Sequence, residues 1–149
     1  MEKSVVISIK GIQKYENMPP DVVELVTGGV LAREGRSYTL SYQESQLTGL
    51  EGTLTTIQVD GDQITLMRVG EFNSQMVFQE GRRHLSLYNT PYGAMTIGVN
   101  TLHLLARLDD QGGDIEVDYA VEVDHAMAGR NVFRINVKEA ETGFESLKQ

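Results

Sequence analysis

A group of polar residues on strands with an apolar pattern carries the clearest chemistry in this sequence. Arg68 shares alternation parity with Ile64 and Leu66, and Glu44 shares it with Tyr42. Successive side chains of a strand point to opposite faces, so both charged groups are predicted to face the interior. A buried charge is costly unless it is paired. The pattern therefore predicts either an Arg68–Glu44 ion pair or a site where Arg68 and the Tyr42 hydroxyl hold the carboxylate or phosphate of a small ligand.

Hydroxyl-bearing residues extend this candidate site. Thr53 and Thr55 could offer hydrogen bonds inside the pocket, but cross-strand threonine pairs on the solvent face are the more ordinary interpretation. The sequence leaves open whether Thr53 and Thr55 face the interior or the solvent. Leu54 and Ile57 have opposite parity, and a shift of the strand register by one residue would exchange the two faces. Tyr92 lies in a proline-containing turn, where it could contact a ligand at the mouth of a barrel or simply form a strand corner.

Catalytic and metal-binding motifs are not evident. There is no cysteine, and His84, His103 and His125 lack the close spacing of a metal pair. We therefore predict no metal site and no cofactor. Carboxylates are plentiful, so an enzyme that uses Glu44 or Glu51 as a general base is a further, weaker hypothesis.

The elements that must position these residues are strands. Alternation of apolar and polar residues runs through most of the chain and predicts strands joined by short turns. Consecutive hairpins favour an up-and-down meander, and closure removes exposed edges. We predict an all-β fold, a single closed or nearly closed antiparallel up-and-down barrel of about 8–10 strands. The predicted strands are 4–13, 22–31, 37–43, 53–59, 63–69, 73–79, 82–90, 94–108, 114–124 and 131–138.

Three segments are predicted to interrupt the strands. Pro19-Pro20 should end one, because proline donates no backbone hydrogen bond. Gly28-Gly29 suggests a bulge or a sharp bend. Residues 125–130, rich in Ala and Gly, are predicted to form a turn, and 139–149 a polar tail.

Charges on the last two predicted strands are expected to pair. The acidic positions of 114–124 repeat at every second residue and need basic neighbours, since like charges on one face repel. Arg130, Arg134 and Lys138 follow on the next strand. We predict cross-strand ion pairs, each worth about 0–1 kcal/mol when exposed.

Composition bounds the class of protein. The chain has 149 residues and is predicted to form one domain, 1–149. Its start is unlike a secretory signal and no run is long enough for a membrane span. The net charge of −8 disfavours nucleic-acid binding, which needs a basic patch. We predict a cytoplasmic protein with no nucleic-acid or membrane partner, and homo-oligomerisation is left open.

Several segments resemble one bacterial family. They are YTLSYQESQLTGLEGT at 38–53, TTIQV at 55–59, LMRVGEFNSQMVFQEG at 66–81, YNTPYG at 88–93 and IGVNT at 97–101. Together they resemble the YwiB-like proteins, which are uncharacterised. The resemblance implies a calycin-like barrel, related in architecture to lipocalins and fatty-acid-binding proteins. It implies no activity and no catalytic residues.

Three functions follow as hypotheses. The first is a barrel that binds a small anionic or amphipathic molecule near Tyr42, Glu44 and Arg68. The second is a structural or protein-interaction barrel with a side-chain-filled core and no ligand. The third is the enzyme with a glutamate base. The first rests on analogy with the fold.

Overall fold

The computed structural model describes residues 1–15, 17–46, 50–70, 73–90, 93–123 and 126–140. Within these residues the chain forms ten β-strands, whose bounds are β1 Glu2–Tyr15, β2 Met18–Glu34, β3 Ser37–Gln43, β4 Thr53–Asp60, β5 Gln63–Gly70, β6 Ser74–Gln79, β7 Arg83–Thr90, β8 Gly93–Asp109, β9 Gly112–Val123 and β10 Ala126–Glu139. Residues 141–149 of the predicted tail lie outside the described residues.

The strands form one antiparallel meander that closes on itself. Each strand neighbours the next in sequence, and β1 pairs with β10 from Val5↔Glu139 to Lys14↔Arg130. The predicted all-β up-and-down barrel is therefore confirmed. Within the described residues, no helix is both long and apolar enough to cross a membrane.

The core lies inside the barrel and follows the predicted alternation. Phe78 is fully buried, and its ring centroid lies 4.8 Å from that of Tyr119 and 5.6 Å from that of Phe133. Such tilted and edge contacts suit the charge distribution of aromatic rings. Other core residues are Val5, Ile7, Leu31, Leu40, Ile57, Ile64, Val99, Ile115, Val117, Ile135 and Val137.

The prediction that Pro19-Pro20 ends a strand is wrong. Both prolines lie within β2, which pairs with β1 at Tyr15↔Met18 and again at Gln13↔Asp21. β2 pairs with β3 only from Val30 onward. Among the residues that the structure describes, β2 therefore has no neighbour on its other side at the level of the prolines, and a missing donor breaks no ladder there.

The predicted bulge at Gly28-Gly29 is also absent. The register with β1 runs without a shift through Val5↔Gly29 and Val6↔Gly28. A Cβ at Gly29 would overlap the Ile7 side chain and the Ser41 carbonyl oxygen. Glycine is needed here because β1, β2 and β3 come close together, which is the other use of glycine in a strand.

The turn predicted over 125–130 is wrong for its described part. β10 begins at Ala126, and its register with β9 shifts once, between Met127 and Gly129. The Ala- and Gly-rich composition suggested a turn. Pairing with β9 extends the strand over this segment instead, and β1 joins it at Arg130.

Cross-strand ion pairs join β9 and β10, as predicted, at two of three positions. Arg130 donates to both carboxylate oxygens of Asp118 at 2.9 and 2.7 Å. The Arg134 Nε lies 3.5 Å from Glu116. Lys138 lies opposite Gly112, which has no side chain to pair with, and in the described residues it forms no ion pair.

Asp118→Asn is expected to lower the free energy of unfolding by about 1 kcal/mol at pH 7. The hydrogen bonds from Arg130 hold the pKa of Asp118 below its ordinary value. The carboxylate therefore stabilises the fold above its unfolded pKa, and this contribution is lost as pH falls through the lower folded pKa. Urea unfolding at pH 7 and below pH 4 should show the difference shrinking with acidity. Glu116→Gln is the control, with a smaller effect expected from its longer contact.

Candidate functional site

A row of polar residues crosses four neighbouring strands on the inner face. Tyr42 lies opposite Thr55, Thr55 opposite Arg68, and Arg68 opposite Ser74. Directly opposed residues point to the same side of a sheet, so the four side chains share the lumen. The next inner row, Leu40, Ile57, Leu66 and Met76, is buried and apolar. A polar layer therefore lies on an apolar one.

Glu44 extends the polar layer at the end of β3. It is only 7 % exposed, and its Oε1 accepts a hydrogen bond of 2.7 Å from the Thr55 hydroxyl. Its backbone N–H donates to the Thr53 carbonyl oxygen at 2.9 Å, which holds the chain beyond β3 against β4. A hydrogen bond to a charged acceptor is among the stronger ones in a protein, so Thr55 fixes this carboxylate in place.

Arg68 lies in the same layer without the ion pair predicted for it. In the described part of the chain no carboxylate is within ion-pair distance of its guanidinium, and its buried Nε has no hydrogen-bond partner. The predicted Arg68–Glu44 ion pair is therefore wrong. Glu44 instead accepts a hydrogen bond from Thr55 on β4, whereas Arg68 lies on the next strand, β5.

The charge of Arg68 affects the pKa values of two nearby tyrosines, Tyr42 and Tyr119. Burial raises the pKa of the Tyr42 phenol, the negative charge of Glu44 raises it further, and Arg68 opposes both. Burial likewise raises the pKa of Tyr119, against the effects of Arg68 and a hydrogen bond with Asn131. Both phenols are therefore neutral near pH 7. The Tyr42 hydroxyl is hydrogen-bonded to the Glu44 side chain, whereas the Tyr119 oxygen accepts from Asn131 and its O–H can donate to an anion.

A cavity of about 550 Å3 occupies this part of the lumen. Tyr42, Glu44 and Arg68 line one wall, and Tyr119 and Asn131 line the other. Apolar residues complete the lining, among them Ile9, Leu25, Ile57, Leu66, Met76, Phe133 and Ile135. The cavity is thus mostly apolar, with a few convergent polar groups, which is the usual character of a small-molecule site.

The predicted site residues have different positions. Tyr42, Glu44 and Arg68 line the cavity, while Thr55 donates a hydrogen bond to Glu44. Thr53 is fully buried next to this layer. Tyr92 lies outside the described residues.

The interpretation of Thr53 and Thr55 as solvent-facing pairs is wrong. Both have no exposed surface, and Leu54 between them is the exposed residue. Thr55 lies opposite Tyr42 in a continuous register, so the pleat turns its side chain inward with that of Tyr42. Glu51, the other candidate base, is exposed in the turn before β4.

The sequence reasoning missed the polar residues of the far wall. Gln13, Asp21, Tyr119 and Asn131 also line the cavity. Parity could have found two of them, since Tyr119 alternates in phase with buried Val117 and Asn131 with Phe133. No sequence signal linked these strands to Arg68, because β9 and β10 meet β5 only across the lumen.

The histidines do not form a metal site. His84 is half-buried with an unpartnered Nε2, and the Nδ1 of His103 lies 3.2 Å from Glu80. His125 lies outside the described residues. Among those that the structure describes, no group of three or more His, Cys, Asp or Glu could hold a metal ion.

A larger depression of about 640 Å3 lies on the outer face of the barrel. Four of its charged groups form two ion pairs. Lys10 lies 3.6 Å from Glu24, and Arg134 lies 3.5 Å from Glu116. Since these charges already have partners, the lumen around Arg68 is the stronger candidate site.

Fold and cavity together define the class of protein as an antiparallel meander barrel whose mostly apolar lumen carries a few polar groups. A family model described as "Domain of unknown function (DUF1934)" matches residues 7–135, so the chain belongs to this family. The predicted resemblance to YwiB-like proteins is confirmed by a structural comparison as well. The crystal structure of the ywiB protein from Bacillus subtilis matches with a TM-score of 0.82 at 20 % identity, over 94 % of each chain.

These comparisons identify the fold and the family of the chain. At 20 % identity the structural likeness shows a shared barrel, and the family description assigns no activity. No curated protein matches the chain. The residues that line the lumen are therefore the basis for a functional proposal.

Proposed function

We propose that this protein binds a small anionic or amphipathic molecule in the lumen of its barrel. The ligand's acidic group pairs with the Arg68 guanidinium and accepts a hydrogen bond from the Tyr119 hydroxyl, while Tyr42 and Glu44 line the same wall of the cavity as Arg68. Its apolar portion contacts the apolar lining. Arg presents a planar fork of donors that suits a carboxylate or a phosphate.

The observation that carries this proposal is the state of Arg68. Its Nε is buried with no partner in the described residues, and the cavity it lines is empty of side chains. The residue as a whole is half-buried, and a guanidinium that is partly removed from water without an anion is destabilised. A ligand that supplies the anion offsets this penalty, and a purely structural role leaves it uncompensated.

The size of the cavity supports ligand binding over a filled barrel. About 550 Å3 exceeds the roughly 300 Å3 at which small-molecule sites begin. The alternative, a barrel that serves only as a structural or interaction module, would need side chains in this space. A cytoplasmic location stays a prediction from the sequence.

Titration with three eight-carbon probes tests the proposal. Octanoate, octan-1-ol and octylamine share a chain and differ in the charge of the head group. We expect octanoate to bind at least about tenfold more tightly than the alcohol, since a charge-assisted hydrogen bond is stronger than a neutral one, and the amine to bind weakest. Isothermal titration calorimetry measures all three. Equal affinities for acid and alcohol, or no binding of any probe, would contradict the proposal.

Native mass spectrometry of protein from its own host would identify the natural ligand. A co-purifying small acid that leaves on denaturation is the expected result. The same spectrum reports the number of subunits, which the sequence left open.

A further inference from the structure

The barrel wall has a weak seam between β6 and β7. In the described residues these strands pair at one position only, Ser74 opposite Tyr88. The preceding pair, β5 and β6, runs continuously from Gln63↔Gln79 to Arg68↔Ser74. The wall is therefore held by a ladder on one side of β6 and by a single bridge on the other.

The seam is open because the turn before β7 bonds to β8. The Gly81 N–H donates to the Thr101 carbonyl oxygen at 2.9 Å, and the Thr101 N–H donates to the Arg82 carbonyl oxygen at 3.1 Å. The Thr101 hydroxyl accepts from the Gln79 N–H at 3.2 Å. Thr101 thus bonds to the Gln79 N–H and the Arg82 carbonyl oxygen, which would pair with each other in a β6–β7 ladder, while the Gln79 carbonyl oxygen still accepts from the Arg82 N–H at 2.9 Å.

A cavity of about 450 Å3 lies at this seam. It is lined by Arg68, Ser74 and Ser86, which face inward, and also by outward-facing residues. Adjacent residues of a strand point to opposite faces, so residues of both faces of the wall meet at this cavity. The outward set comprises Met67, Val69, Gln75, Val77 and Leu85.

The chemistry of the seam changes from its inner to its outer end. At the inner end the Arg68 Nε and the Ser74 hydroxyl are buried without a partner in the part of the chain that is described. At the outer end Val69 and Leu85 are exposed to 55 % and 64 %. Arg68 also lines the lumen, so the two cavities meet at its side chain.

We propose that the β6–β7 seam is a second part of the ligand site and that the ligand is an amphipathic acid. Its acidic head pairs with Arg68, and its apolar portion leaves the lumen through the wall to lie against Val69, Val77 and Leu85. This inference rests on the proposed function, since it needs an acid at Arg68. Two features favour this occupant, the complementary charge at the inner end and the continuity with the lumen.

Chain length tests the proposal. Hexanoate is to be compared with dodecanoate on the wild-type protein and on Leu85→Gln, by isothermal titration calorimetry. Each buried methylene strengthens binding by about fourfold, which is about 0.8 kcal/mol, so dodecanoate should bind far more tightly than hexanoate. Leu85→Gln should weaken dodecanoate by about tenfold and hexanoate by less than about twofold. Leu85 is exposed, so the substitution leaves the core intact.

Val26→Gln is the matched control. Val26 is 67 % exposed on β2 and lines neither the lumen nor the seam. It should leave the affinity for both acids unchanged. If Leu85→Gln does not change dodecanoate binding, the seam inference is overturned and the lumen site stands. If neither acid binds the wild-type protein, the proposed function fails and the seam inference fails with it.

Discussion

Gly113→Ala is expected to lower the free energy of unfolding by about 3–5 kcal/mol. Gly113 has φ +143°, a backbone conformation that residues with a Cβ rarely adopt. An alanine Cβ would also overlap the carbonyl oxygen of Arg107 on β8. Gly113 is paired on both sides, with Leu108 and with Val137, so the backbone cannot move away without breaking a ladder.

Gly129→Ala provides the comparison for this effect. Gly129 lies in the neighbouring strand β10, and a Cβ there would meet no atom within 4 Å. Its substitution should change stability by less than about 1 kcal/mol, and alanine can even stabilise by restricting the unfolded chain. Urea unfolding of both variants measures the contrast. Similar stabilities for the two would contradict the strain argument and the close approach of β8 to β9.

Arg68→Met is expected to weaken octanoate binding by about 100-fold or more while raising the free energy of unfolding by about 1–3 kcal/mol. Loss of binding follows from loss of the anion's partner. The gain in stability follows because methionine fills similar space without an unpaired, half-buried charge, and its flexible side chain adapts to irregular gaps. Opposite effects on binding and stability are typical of a residue retained for function.

Two further variants make this result interpretable. Arg68→Lys keeps the charge but loses the planar fork, so an intermediate loss of affinity is expected. Arg36→Met removes an exposed arginine from the turn between β2 and β3. Neither the affinity for octanoate nor the free energy of unfolding should change. Calorimetry and urea unfolding provide the two readouts. A destabilisation of more than about 2 kcal/mol by Arg68→Met would instead assign Arg68 a structural role, in which a partner stabilises its charge.

The strands could be predicted from sequence because alternation is a local property. Residues 63–69 and 133–138 alternate in phase with their burial, and Asp60-Gly61 suits the turn between β4 and β5. The same parity placed Tyr42, Glu44 and Arg68 inside the barrel, where they line the cavity. One face of each strand is buried, so the pattern of residue types alone specifies which side chains face inward.

The wrong predictions depend on which strands neighbour a given segment in the sheet. Pro19-Pro20 is tolerated because β2 lacks a second neighbour at that level, and Gly29 is required because three strands approach one another there. Neither fact can be read from the residues themselves. The inward position of Thr55 likewise follows from its register with Tyr42, which depends on how the corner before β4 is built.

Strand periodicity and turn chemistry act over a few residues, so the residue pattern alone specifies the class of fold and the inward-facing polar residues. The separation of Arg68 from Glu44, the approach of Tyr119 and Asn131 to the same cavity and the opening of the β6–β7 seam at Thr101 depend on the folded barrel. These relations join residues far apart in the chain, and their geometry is set by closure of the barrel.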